Sequence, residues 1–176
     1  DQLQLIHFAG VITAENGIEL DRLVTLVRPV GYPALAEDDS MFGAITFVGV
    51  VRRGLAPQEI LAWVESRARA TSMVVGHDIH EDLESLAATA AMLDINWRKP
   101  IRIFSTMFGS LATGIVPFKQ PRDSADPTDC FKPTLAQCFK KATGEPMNGA
   151  IGIRSDADAI IKVFRHIRWL LTRDNE

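Results

Sequence analysis

The strongest constraint on the fold is Asn16-Gly17, set between two apolar runs. LQLIHFAGVIT (residues 3–13) is β-compatible, and IELDRLVTLVRP (residues 18–29) follows the turn. Asn-Gly accepts the positive φ angles of a tight hairpin turn at little cost, so two adjacent antiparallel strands are predicted, the second ended by Pro29. With 176 residues, 47% of them hydrophobic, the chain is long enough for one domain with a sizeable core. Residues 1–176 are therefore read as a single domain.

Further along, the periodicity changes. Residues 29–56, with Pro29, Pro33 and four glycines, are expected to be irregular, with MFGAITFVGVV as an alternative strand. APQEILAWVESRARA reads as a helix with Pro57 in its first turn and Ile60, Leu61, Val64 and Ala68 at helical spacing. SMVVGH is a short buried strand. DIHEDLESLAATAAMLDI follows as a helix striped by Ile79, Leu83, Leu86, Ala90 and Leu93. IRIFSTMFGSLA is either strand then helix or helix throughout. GIVPFKQPRDSADPTDCFKP, with four prolines, is the longest loop candidate. TLAQCFKKATG is a helix closed by Gly144, and SDADAIIKVFRHIRWLL is a helix with Ser155 as its N-cap. A hairpin followed by strand-helix units predicts an α/β fold, a mixed central sheet flanked by helices.

No apolar stretch approaches the roughly 18 residues of a membrane span, and no signal-peptide pattern opens the chain. Cys130 and Cys138 are too few for a disulfide framework, and an intracellular protein with reduced thiols is expected. The net charge of −3 excludes a globally basic nucleic-acid binder but not a nuclease, which confines cations to its groove. Lys162, Arg165, Arg168 and Arg173 form one basic cluster and Arg52 and Arg53 another; solvated helix faces are expected for both.

The densest chemistry lies in VVGHDIHEDLESL (residues 74–86), with two histidines and four carboxylates. His77 and His80 stand at i, i+3, whereas zinc helices present histidines at i, i+4, and no ligand-spaced cysteine pair supports them. Mg²⁺ or Mn²⁺ suits the carboxylates better. Glu81 and Glu84 read as complements to a helix N-terminus, and Asp82 as the candidate ligand.

The order of these segments resembles the DEDDh branch of the 3′–5′ exonucleases, the DnaQ-like proofreading family with its ribonuclease H-like fold. DQLQLIHFAGVI and GIELDRLVTLVRP look like its second and third strands. VVGHDIHEDL is similar to its second motif, G-H-N-x-x-F-D, and FKPTLAQCFKKATGEPMNGAIGIRSDADAIIKVF to its closing segment, where GAIGIRSD overlays G-A-H-x-A-x-x-D. The resemblance covers nearly the whole chain except residues 31–56. It implies that Asp82 and Asp156 are the catalytic, metal-ligating aspartates, with Mg²⁺ or Mn²⁺ as cofactor. His77 matches the histidine that precedes the second motif's asparagine; if the domain binds the 3′ end of DNA or RNA, Lys132 and Arg154 are the candidate phosphate contacts, and Phe131 either stacks on a terminal base or belongs to the core.

Four departures set the functional expectation. The asparagine of the second motif is Asp78 and its aromatic is Glu81. The general-base histidine is Ile151, which cannot take a proton from water. The family's first strand, with D-x-E, is expected upstream of Asp1 or lost. Two carboxylates are a thin cage for two divalent ions. The expected function is therefore an impaired or inactive exonuclease-type domain, kept as a nucleic-acid-binding, protein-docking or structural module, within a larger polymerase-type assembly or alone. The alternative is an active metal-dependent 3′–5′ exonuclease with its D-x-E strand upstream.

Overall fold

A computed structural model describes residues 5, 7–31, 40–42, 45–117, 132–147 and 153–173. The chain divides into two compact units, one of Asp1–Val74 with His80–Arg102, the other of Val75–Ile79 with Ile103–Glu176. The architecture is mixed α/β, with an antiparallel hairpin, a parallel pairing and helices, and the described strands pair two by two.

In the first unit the hairpin forms as its turn demands. Strands β1 (His7–Thr13) and β2 (Glu19–Leu26) pair from His7 with Leu26 to Ile12 with Asp21, and a bulge shifts Thr13 opposite Glu19. Gly17 takes φ +83° at the turn, and the Asn16 side-chain oxygen accepts the Ile18 N–H at 3.0 Å. These are the roles for which Asn-Gly is selected. Gly10, inside β1, has a packing reason: a Cβ there would lie 2.5 Å from the Trp63 ring. Trp63 stands on the chain's second helix, α2 (Pro57–Ala70), and meets Phe8 edge-on, their centroids 5.7 Å apart. Arg67, one turn on, donates to Asp21 at 2.8 Å. Val27, Val50, Ile60, Leu61, Val64, Leu83, Leu86 and Ala90 are buried apolar residues of this unit.

The described residues within 40–53 are not irregular, and the strand alternative holds for Met41-Phe42 and Ile45-Thr46 but not for FVGVV, which is helical. Two short strands, β3 (Ser40–Phe42) and β4 (Ile45–Thr46), pair antiparallel, and helix α1 (Phe47–Arg53) follows. Arg52 and Arg53 occupy its last turn, where cations complement the helix dipole, and the Gly54 N–H closes it on the Val50 carbonyl at 2.8 Å. A Cβ at Gly54 would meet that carbonyl oxygen at 2.4 Å, so the glycine is required by close backbone approach. Leu55 then forms a parallel bridge to Val27.

Strand β5 (Val74–Gly76) pairs with β6 (Ile103–Ser105), and helix α3 (Ile79–Met92) lies between them in sequence. Helix α4 (Thr106–Ala112) follows β6 without a linker, so IRIFSTMFGSLA is strand then helix. The second unit also holds α5 (Leu135–Thr143) and α6 (Ile153–Arg173). Thr134 and Gln137 form a reciprocal capping box at the start of α5, and Gly144, at φ +79°, closes it. Helix α6 begins at Ile153, so Ser155 lies inside its first turn and is not the N-cap. Nothing in Ile153-Arg154 breaks a helix, so helical backbone extends N-terminally past the serine. Cys138 and Phe139 of α5 pack with Ala159, Val163 and Ile167 of α6, flanked by Phe104, Leu135 and Met147. Lys162, Arg165, Arg168 and Arg173 lie on α6; all four are exposed, as are Arg52 and Arg53 on α1.

Candidate functional site

The site grows from the two-residue turn, His77-Asp78, that joins β5 to α3. Gly76 enters it tightly, since a Cβ there would meet Ile79 side-chain carbons at 2.9 Å. The His77 carbonyl accepts the Ser105 hydroxyl at 2.7 Å and the Met107 N–H at 3.4 Å. Ser105 is itself the N-cap of α4, accepting from the Phe108 N–H. One serine thus caps a helix and anchors the turn.

The His77 ring is held from both sides. Nε2 lies 2.9 Å from the Pro133 carbonyl and Nδ1 lies 3.1 Å from the Thr106 hydroxyl. A carbonyl only accepts, so the proton resides on Nε2, and bare Nδ1 accepts from Thr106. Thr106 is fully buried and so is Pro133. Burial pushes the His77 pKa below its usual 6.5, against the Pro133 hydrogen bond and the Asp78 charge, which both raise it. The imidazole is therefore neutral, and both nitrogens are engaged by the protein. Neither remains for a metal ion or a phosphate.

Asp78 faces Lys132, Oδ2 to Nζ 3.6 Å, with the lysine more than half exposed. Such a pair contributes about 0–1 kcal/mol, and it sets a cation against the Asp78 carboxylate. His77, Asp78 and Lys132 are the sequence-predicted positions that the structure brings together. Lys132 and Pro133 deliver this contact from the end of the Pro-rich segment.

Asp82 is exposed in the first turn of α3, and Asp156 is half-buried in the first turn of α6. Arg154 is exposed in the same turn of α6. Phe131, Cys130 and Ile151 lie outside the described residues. No protein-family model matches the chain, and no curated protein matches it.

His77 has no lone pair to give, Asp78 is matched to a lysine, and hard divalent ions in a two-metal site need several carboxylates. No metal-dependent step is derived from these residues. Ser105, Thr106 and Pro133 were not singled out by sequence reasoning. A usable signal existed for Ser105, a Ser-Thr pair at the end of the apolar run IRIF, where an N-cap belongs.

Proposed function

We propose that the chain is a catalytically impaired relative of the DEDDh 3′–5′ exonucleases, ribonuclease H-like in fold, that binds nucleic acid without cutting it. The observation that carries this reading is the His77-Asp78 turn. At the motif position it resembles, the histidine is consumed by Thr106 and Pro133, and the residue after it is an aspartate facing Lys132. The turn holds the start of α3, and its imidazole, engaged at both nitrogens, is not free to take a proton from an attacking water. Ile151, at the family's general-base position, offers no proton acceptor either.

Lys132, which faces Asp78, and Arg154, in the first turn of α6, are exposed cations that would give a nucleic-acid strand phosphate partners. The test is fluorescence anisotropy of the purified protein with a 3′-labelled single strand, once as DNA and once as RNA. Binding that weakens as salt rises is expected, because each neutralised phosphate releases counterions. Failure to bind either strand at low salt overturns the reading.

A further inference from the structure

A second concentration of charge lies wholly inside the first unit. Where β5 begins and the chain approaches β6, a cleft of about 350 Å³ is lined by Arg69, Arg98, Lys99 and Arg102 together with Met73 and Ile101. The Val74 N–H donates to the Arg102 carbonyl at 2.9 Å, which fixes the two lining segments to each other. Two of the cations are already matched: Arg69 pairs with Glu65, itself part of the lining, and Lys99 pairs with Glu84. Arg98 and Arg102 are exposed and make no ion pair or side-chain hydrogen bond among the described residues. Beside them the Ile101 side chain is almost completely exposed, at 96%, and Met73 is exposed at 42%.

Two unmatched guanidinium groups beside exposed aliphatic surface fit a ligand that alternates anions with flat apolar groups. Arginine presents a planar fork that matches phosphate oxygens two at a time. The volume is near the lower end for ligand pockets, enough for a nucleotide or two of a strand rather than a folded partner. We infer that this cleft is a phosphate-backbone site for single-stranded nucleic acid, with Arg98 and Arg102 as the phosphate contacts and Met73 and Ile101 under a base. It rests on the nucleic-acid reading above for the identity of the polyanion, and it assigns binding to residues that the exonuclease resemblance does not include. The aliphatic floor makes no base-specific hydrogen bonds, so recognition is tolerant of sequence.

The experiment measures anisotropy of a labelled single strand with the wild-type protein, with Arg98→Glu/Arg102→Glu, with Arg98→Lys/Arg102→Lys and with Lys132→Glu. Two to four phosphate contacts imply a roughly 7- to 50-fold loss of wild-type affinity between about 50 and 200 mM salt. The double glutamate variant is expected to bind at least about tenfold more weakly and to lower the log–log salt slope by about 1.4. The double lysine variant is expected to recover most of the affinity. Both sites are exposed, so unchanged circular dichroism is expected and checks folding. Wild-type binding that the double glutamate variant leaves intact, and that Lys132→Glu abolishes, overturns the cleft while leaving the nucleic-acid reading standing. Absence of wild-type binding overturns both.

Discussion

His77→Ala is expected to destabilise the second unit by about 2–4 kcal/mol and to remove an acid-sensitive component of its stability. The substitution leaves the Pro133 carbonyl without its donor and the buried Thr106 hydroxyl without its acceptor. An unmatched buried polar group costs about 1–3 kcal/mol, far more than a hydrogen bond contributes on balance. The pH dependence follows from the lowered pKa. The folded protein binds a proton at His77 less readily than the unfolded chain, whose value is the ordinary 6.5. The stabilisation from neutral His77 is therefore fully present above pH 6.5 and is lost as pH falls through the folded value. Urea melts at a series of pH values below neutrality should show wild type losing stability relative to His77→Ala as the solution becomes more acidic. A constant difference between the two proteins would contradict a neutral, half-buried imidazole.

Ile167→Ala is expected to cost about 3–4 kcal/mol, and Ile167→Val about 1 kcal/mol. Ile167 is completely buried on α6, in the cluster with Val163, Ala159, Cys138 and Phe139. Its Cδ1 would stand 3.1 Å from a Cβ on Gly109, so α4 approaches α6 through a glycine shaped to this side chain. Removing three carbons leaves a cavity between helices whose backbones are already in close contact, and little can collapse into it. This packing fixes the helix that carries Asp156. Thermal and urea melts measure the loss; a cost under 1 kcal/mol for the alanine would show that the cluster is not closely packed.

Much of the fold was legible because local chemistry and tertiary structure agree. Gly17, Pro57 and Gly144 sit where the backbone needs their special φ angles or lacks a donor requirement, and Asn16 caps the hairpin turn through its side chain. Helix α3 was legible from its apolar stripe. Helix α1 was not: FVGVV is β-branched and short, and its helical state depends on the close approach of Gly54 to Val50 and Arg28, which no local pattern reveals. Likewise Ser155 carries cap chemistry, yet α6 starts ahead of it. At the site, His77 stood out as a residue type, while its fate was decided by Thr106 and Pro133, 29 and 56 positions away. Such long-range polar pairing leaves no spacing signature. The cleft cations are a milder case, since Arg98, Lys99 and Arg102 are close in sequence but gain meaning only beside Arg69 and Met73.

The most direct test of impaired chemistry is hydrolysis itself. Purified protein is incubated with a single-stranded oligonucleotide, labelled at the 5′ end so that shortened products stay visible, in excess Mn²⁺, beside Asp82→Ala and Asp156→Ala. The expected result is full-length strand in all three reactions, under conditions where anisotropy shows the strand bound. Stepwise shortening by the wild type that disappears in both alanine variants would establish an active exonuclease and contradict the proposal.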